Sequence, residues 1–501
     1  MAKTILWYDL ETFGLNPRHD RIAQFACIRT NERLEPVSEQ LILYNRISDD
    51  YLPSPRSCLV HRISPQDTIE KGIPEYEFAK ALRTEMMAAG SCTCGYNSIA
   101  FDDEFIRNLF YRNLFDPYER EWAEGNSRWD VMDLFRAARD LKPDGLAWPD
   151  GVDGKPDFRL TSLANVNSVK LRNAHDAMHD IEATLALVRL VKKAQPRLYD
   201  WYWKHKTRNS LRPLIKLAAC EPILHSSASY TRKEGCSTII APVGMLPRRR
   251  DAVLILDLRY DPEPLIKLDV EEIRTRVFSP KTTMKNGDRI PLSVIKLGRC
   301  PYLAPLSVLD KKAALRLGLD PEEAKSRAKS LAGEAQLIQK LLAVFSPAGP
   351  ETVEADPDYR IYSGGFFRDD DRDSMAAVHE AIAALGPKEA RPQAYSLPFW
   401  DERLPKLVRR LFARNWPACL SRAEKERWRS YCAGRLLFPG MEGAIDLASY
   451  EKTIAALLDS IDTIPEDKAM LMKLLDYKLD LDARIFTYQK EDKPNIKNNK
   501  G

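Results

Sequence analysis

The pattern of apolar and polar positions changes twice along the chain. Up to about residue 195, short apolar runs are interleaved with helical periods. Residues 3–9 (KTILWYD) form an apolar run of strand length, and 22–29 (IAQFACIR) and 39–44 (EQLILY) follow at hairpin-like spacing. Three such strands predict an antiparallel meander. Helical spacing then covers 73–89 and 102–115, the latter carrying Phe105, Leu109 and Phe110, with a short strand over 91–96 between them. Residues 144–157 (DGLAWPDGVDGKPD) make a Gly-, Pro- and Asp-rich excursion long enough to be a functional loop. Ile181, Leu185 and Val188 recur at helical spacing within 176–195, and Pro196 predicts the end of that helix.

From about 200 to 310 the runs become strand-like again, at 238–243 (TIIAPV), 252–258 (AVLILDL) and 290–297 (IPLSVIKL), separated by turn signals. They predict a small β-barrel or β-sheet domain, completed by a helix-like stretch over 321–345. Residues 346–358 (SPAGPETVEADPD) read as a linker. Helical periods over 371–385, 404–415, 423–431, 450–458 and 466–484 predict an all-α bundle, and the polar residues 490–501 a frayed tail. The expected division is an α/β domain over 1–195, a β-rich domain over 196–350, a helical domain over 353–486 and a polar tail over 487–501.

Composition narrows the class. With 44% hydrophobic residues the 501-residue chain is not mainly disordered. No run of about 18 apolar residues lacks a charge, so no membrane span is expected. The first strand runs at once into an acidic pair, unlike a signal peptide. Nine scattered cysteines, with only Cys92 and Cys94 close together, predict neither a zinc site nor disulfides. A reduced, cytoplasmic protein is expected, and with no heptad or swapped-strand signal, a monomer. The net charge of +4 hides an asymmetry: residues 201–300 carry 19 Lys plus Arg against 10 Asp plus Glu, or +9, leaving −5 for the rest. Such a segment either attracts an anionic polymer or is a solvated basic surface.

Candidate chemistry sits at three places. Asp9-Leu10-Glu11 ends the first strand, and side chains two apart share a face, so both carboxylates reach one metal cluster. Thr12-Phe13-Gly14 follows, which puts the acids where a strand breaks into a turn, with a glycine that admits close backbone approach. Asp102 stands at a helix start directly after a strand, a position equally suited to an N-cap. In His175-Asp176-Ala177-Met178-His179-Asp180, Asp180 lies on the closing helix and His175 at or ahead of its start. Each feature alone is weak, since about one or two Asp-x-Glu arise by chance in a chain this long. Taken in order, they are the signature of the DEDDh exonucleases.

The residues around them carry the resemblance further. Trp7 through Gly14, Tyr96-Asn97, Phe101-Asp102-Asp103-Glu104 and Ala174 through Met178 resemble the bacterial exodeoxyribonuclease I family. So do Tyr111-Arg112-Asn113, Asp116-Pro117-Tyr118, Asn126 through Asp130, Phe158-Arg159-Leu160 and Gly365-Phe366-Phe367, and the likeness runs from about residue 4 to 480. The resemblance implies an α/β RNase H-like exonuclease domain, then an SH3-like β-barrel domain and an all-α C-terminal domain. It also implies processive 3′→5′ digestion of single-stranded DNA to 5′-mononucleotides, in DNA repair and recombination. The partner it implies is the acidic C-terminal tail of the single-stranded DNA-binding protein.

On that reading Asp9, Glu11 and Asp180 are metal ligands, with Glu11 the bridge, and Asp102 binds directly or through a water. Four carboxylates and no cysteine select a hard ion, two Mg²⁺ with Mn²⁺ as a substitute. His175, with an ordinary pKa of about 6.5, is suited to take the proton from the attacking water. The resemblance implies that Glu11 also meets the terminal 3′ hydroxyl. His179, next to Asp180, turns to another helix face and is expected to be a structural or surface residue. Arg107, Arg112, Tyr118, Trp122, Arg128, Trp129 and Arg136 interleave as a stacking track for a single strand would. By resemblance, Arg107, Tyr118, Trp122, Arg136 and Arg159 line the DNA path. The basic segment with Arg248-Arg249-Arg250 is expected to face either the DNA or the acidic tail. Two other readings stand beside this one. A DEDDh enzyme acting on RNA or on mismatched primer ends would carry the same five residues. A non-catalytic single-strand-binding protein is opposed by the intact set.

Overall fold

Ile5, Leu6, Trp7 and Tyr8 are all buried, which places the first strand, β1 (Thr4–Thr12), inside a sheet covered on both faces. The computed structural model describes residues 3–170, 176–247, 249–279, 289–346, 356–438, 444–460 and 464–486. On one side of β1 lie β2 (Ile22–Asn31) and β3 (Leu41–Tyr44), joined antiparallel as the meander predicts. On the other lie β4 (Ser91–Gly95) and β5 (Ser127–Asp130), both parallel, giving the order β3-β2-β1-β4-β5. The helices of this region are α1 (Pro55–His61), α2 (Pro65–Lys71), α3 (Glu75–Met86), α4 (Asp102–Arg112), α5 (Met132–Leu141), α6 (Leu160–Val166), α7 (Ala177–Ala194) and α8 (Pro196–Lys204).

The period of two along β1 divides its side chains between two helical layers. Leu6, Tyr8 and Leu10 join the core built with Phe78 and Leu82 of α3 and Phe105 and Leu109 of α4. Ile5 and Trp7 face the other way, into the core that holds Leu134 of α5 and Ile181, Leu185 and Val188 of α7. Asp9 and Glu11 continue the second set, so strand geometry alone carries them toward α7. Pro196 ends α7 as predicted, and it also opens α8, because the first helical position needs no N–H.

A second sheet of β6 (Ile223–Ser226), β7 (Ser237–Leu246), β8 (Arg249–Asp257), β9 (Leu292–Lys296) and β10 (Tyr302–Ala304) has the order β10-β6-β7-β8-β9, antiparallel throughout. The expected helix over 321–345 is two helices, Pro321–Gly333 and Ala335–Val344. Between them Glu334 leaves helical geometry at ψ 70°. The two sheets share a core through Tyr202 of α8, whose ring lies 5.4 Å from that of Tyr302 and whose hydroxyl donates to the Cys300 carbonyl. The remaining region is helical: Asp369–Leu385, Pro387–Ser396, Leu404–Asn415, Arg422–Leu437, Leu447–Leu458 and Pro465–Phe486. The expected linker lies mostly, and the expected tail wholly, outside the described residues. No helix among the described residues is long and apolar enough to cross a membrane.

Buried charge joins the helical region to the first sheet. Asp50 accepts from Arg414 and Arg435, each at 3.0 Å, and Asp358 accepts from Arg414 at 2.8 Å and Arg410 at 2.9 Å. Glu75 on α3 accepts from Arg112 at 3.2 Å.

Candidate active site

Asp9 and Glu11 leave the end of β1 on the face that α7 covers, and Asp180 stands on the first turn of α7. One carboxylate oxygen from each lies within 4.8 Å of the other two. The turn after Glu11 is tight. A Cβ on Gly14 would sit 2.0 Å from Asp20 Oδ2, and Asp20 is fixed by the Asn16 N–H (2.8 Å) and the Tyr51 hydroxyl (2.9 Å). Only glycine fits there.

Asp102 approaches from α4 near enough for its charge to raise Asp9 and Glu11, but it is not among the three carboxylates that meet within 4.8 Å. It is buried, and the backbone N–H groups of Asp102 and Leu10 favour its ionised form. It is the first helical residue, not the cap: Phe101 holds the cap position and makes no side-chain bond there. The close pass from β4 into α4 depends on Gly95, where a Cβ would meet Ser98 Cβ at 2.6 Å. Asp176, not singled out in the sequence, caps α7 by accepting from the Met178 and His179 N–H groups at 3.1 and 3.3 Å. His179 Nδ1 lies 3.5 Å from the same carboxylate. His175 lies outside the described residues.

The electrostatics of the cluster are one-sided. Burial, then the charges of Asp102, Glu11, Asp180 and Asp176, holds Asp9 well above the usual carboxylate range. Burial, then Asp180, Asp102 and Asp176, pushes Glu11 up to about 9. Asp102 is raised by burial and by Asp103. An array of oxygen donors that repel one another when ionised fits a hard divalent cation, which would offset that repulsion.

Asp103, one residue along, has the opposite fate. Burial would raise it, but Arg120 and Arg128 outweigh burial and hold it well below the usual range. It accepts from Tyr8 Oη at 2.6 Å, from Arg128 at 2.6 Å and from Arg120. Successive acids at the start of α4 thus split into one turned toward the cluster and one locked into the scaffold behind it. Residue type alone does not say which is which, although the family resemblance picks out Asp102.

The expected single-strand track divides in the same way. Trp129 is fully buried against Tyr199, Tyr202 and Trp203, and Arg112 is buried on Glu75. Arg128 is spent on Asp103, Glu121 and the Gly298 carbonyl. These three belong to the scaffold, because each sits on an inward face of its element. Trp122 is 68% exposed, and Tyr118 meets the 78% exposed Phe366 edge to face at 5.7 Å. Arg107 lies over the Tyr118 ring and is bound to Glu104 and Glu121. Arg136 pairs with Asp133, and the exposed Arg159 with Asp157. Phe366 was legible only as part of a motif. In the basic segment Arg249 is exposed at the start of β8, and Arg248 lies outside the described residues.

Three family descriptions match the chain in succession: Exonuclease over residues 6–188, Exonuclease I SH3-like domain over 206–347, and Exonuclease I C-terminal domain over 355–481. The exodeoxyribonuclease I of Escherichia coli (strain K12) is 38% identical over 425 residues, covering 85% of this chain and 88% of that one. The Haemophilus influenzae exodeoxyribonuclease I is 32% identical over 476 residues, covering 95% and 98%. Among solved structures, E. coli exonuclease I in complex with a dA16 oligonucleotide superposes with a TM-score of 0.90 at 36% identity, over 96% of this chain and all of the other. Exonuclease I from Methylocaldum szegediense gives 0.89 at 37% identity, again over 96% and 100%. An RNase H-like exonuclease unit, an SH3-like unit and a helical C-terminal unit therefore make up the fold, and the chain, a hydrolase of the nuclease class, belongs to the exodeoxyribonuclease I family.

Proposed function

We propose that this chain digests single-stranded DNA processively from the 3′ end to 5′-mononucleotides, as a cytoplasmic monomer acting in DNA repair and recombination. The observation that carries the reading is the gathering of Asp9, Glu11 and Asp180 within 4.8 Å. A relative at 36% identity, solved with a dA16 oligonucleotide, supports the substrate. The working division is 1–195 for the exonuclease unit, 196–350 for the SH3-like unit, 353–486 for the helical unit and 487–501 for a tail.

Asp9, Glu11 and Asp180, with Asp102 beside them, would hold two divalent cations, Mg²⁺ first and Mn²⁺ as a substitute. When bound, the ions supply the Lewis acidity that activates water and offsets charge on the departing 3′ oxygen. His175 takes the proton from the attacking water. Glu11 also meets the terminal 3′ hydroxyl, which fixes the end of the strand before cleavage. The Tyr8, Arg120 and Arg128 contacts hold Asp103 in place and with it the first turn of α4, so Asp102 stays on the cluster. Arg107, Tyr118, Trp122, Arg136 and Arg159 line the path of the strand. The acidic C-terminal tail of the single-stranded DNA-binding protein is the proposed protein partner.

The test uses 5′-labelled single-stranded DNA, the matching RNA and a duplex, each with Mg²⁺ or EDTA. A shortening ladder on single-stranded DNA alone, absent in EDTA, is the expected result. RNA shortened as fast as DNA would overturn the substrate, and binding without shortening in every lane would overturn the enzyme.

Stacking makes a second expectation. Trp122 offers an open ring, and a base stacked on an aromatic side chain contributes about 1–3 kcal/mol. Trp122→Ala should therefore weaken binding of oligo-dT in EDTA by about 5–150-fold, measured by anisotropy. An unchanged Kd would remove Trp122 from the path.

A further inference from the structure

His19 is a buried histidine that the chemistry above does not use. Its Nδ1 lies 2.9 Å from Asp20 Oδ1, and a carboxylate only accepts, so Nδ1 carries the proton. Burial lowers the pKa of the ring, with Arg435 and Arg21 acting in the same sense and Asp20 against them, which favours the neutral form. A neutral imidazole has one N–H to give. Here it goes to the carboxylate that fills the space beside Gly14.

The turn between Glu11 and that carboxylate is pinned at every peptide. The Thr12 hydroxyl donates to the Gly14 carbonyl at 2.8 Å, and the Phe13 N–H donates to the Arg21 carbonyl at 2.9 Å. The Phe13 carbonyl accepts from the Ser54 N–H at 2.6 Å and lies 3.0 Å from the Tyr51 hydroxyl, which also reaches Asp20. A shift of Asp20 therefore moves Gly14, three residues from Glu11.

The other side of His19 meets the helical C-terminal unit. Its ring centroid lies 6.4 Å from that of Tyr359 and 5.6 Å from that of Tyr51. Arg435 donates to the Tyr359 hydroxyl and stands 5.2 Å from the centre of its ring. The His19 carbonyl accepts from Arg21 at 2.7 Å, and Arg21 lies 3.6 Å from Asp50, the acid that Arg414 and Arg435 bind. Ring and backbone of His19 are thus gripped by the contacts that dock the helical unit.

We infer that His19 is a positioning residue, which transmits the docking of the helical C-terminal unit through Asp20 and the Gly14 turn to Glu11. The inference rests on the reading of Asp9, Glu11 and Asp180 as metal ligands. It gives the helical unit a part in handling even a single nucleotide, separate from any hold on a long strand.

The experiment has two readouts on the full chain. One is Mn²⁺ binding, followed by the EPR signal of the free ion. The other is cleavage of the p-nitrophenyl ester of thymidine 5′-monophosphate, which has no strand for the helical unit to hold. His19→Phe keeps a ring between Tyr51 and Tyr359 and loses the donor, whereas His19→Asn puts an amide N–H in place of Nδ1 and loses the ring. Groups that orient a metal ligand are worth about 10–100-fold, so His19→Phe should bind Mn²⁺ about tenfold more weakly or worse. Its kcat on the ester should fall by a similar factor with KM nearly unchanged, and His19→Asn should recover most of both. Tyr359→Ala, altered only in the helical unit, should weaken Mn²⁺ binding in the same direction. Wild-type Mn²⁺ affinity in His19→Phe would overturn the inference, as would equal losses in both His19 variants, since the donor would then not matter. Should His19→Phe fail to fold, Tyr359→Ala decides, and unchanged Mn²⁺ affinity there would overturn it. A wild type that binds Mn²⁺ but cleaves neither the ester nor single-stranded DNA would sink the nuclease reading and leave the positioning role to be decided by Mn²⁺ binding alone.

Discussion

Asp180→Asn should abolish cleavage of single-stranded DNA in Mg²⁺ and leave the protein no less stable. Groups that only orient a metal ligand are worth about 10–100-fold, so losing a ligand should cost on the order of 10³-fold or more in rate. The stability half of the expectation comes from the cluster's own repulsion. Asp9, Glu11 and Asp102 all have folded pKa values above those of an unfolded chain, Glu11 at about 9. The folded protein thus binds protons more tightly than the unfolded one across that range. Its stability from these groups is full below about pH 4 and is lost as pH rises toward 9. In EDTA the wild type should therefore melt at a lower temperature at pH 8 than at pH 5.5. Asp180→Asn removes one charge from the cluster and should flatten that slope. Mg²⁺ should raise the melting temperature of the wild type at pH 8 much more than that of the variant. A variant that melts well below the wild type at pH 8 in EDTA would mean that Asp180 serves the start of α7 and not a metal.

The gathering of Asp9, Glu11 and Asp180 was legible because strands and helices have fixed periods. Two positions on β1 share a face whatever the rest of the chain does, and Asp180 falls on the covering helix by helical spacing. The sheet order was only half legible. β2 and β3 announce themselves by length and spacing, whereas β5 is four residues with Trp129 as its one buried side chain, too short for any alternation. β6 and β10 fail for the same reason. In α5, Leu134, Phe135, Ala138 and Leu141 do follow a helical period, but the run sits against the Asp-rich loop that ends it. Direction is what sequence does not carry. Asp102 and Asp103, or Trp122 and Trp129, are equal as residue types. Which one meets the cluster or solvent and which one the core follows only once α4 and β5 are docked. His175 and His179 are told apart by position alone, and residues 171–175 lie outside the described residues.

The opposite charge arrangement holds the helical unit to the exonuclease unit, and Asp50→Ala is expected to cost about 3–5 kcal/mol, the usual penalty for leaving one half of a buried pair. Asp50 is 1% exposed and binds Arg414 and Arg435 at 3.0 Å, with Arg21 at 3.6 Å. Removing it leaves Arg414 and Arg435, which water does not reach, to share Asp358 at 2.8 and 3.6 Å. Burial alone would raise Asp50, but Arg414, Arg435 and Arg21 outweigh it and hold its pKa well below the usual range. Asp358 is lowered in the same sense, with Arg410 and Arg414 against burial. Folded values below unfolded ones mean stability that is present above about pH 4 and lost as pH falls through the folded values. Acid should therefore loosen the interface between the units at a pH where the acidic cluster, with its raised values, is at its most stable. Urea titrations at pH 7 and pH 2 separate the two effects. Asp50→Ala should keep most of its deficit down to about pH 4 and lose part of it by pH 2, where the wild type has begun to lose the same contacts. The double substitution Asp50→Ala/Arg414→Met should recover part of the loss at pH 7, since an apolar side chain in place of a stranded guanidinium leaves less buried charge unpaired. A loss under about 1 kcal/mol for Asp50→Ala would mean that water enters this interface and that the arginines are solvated.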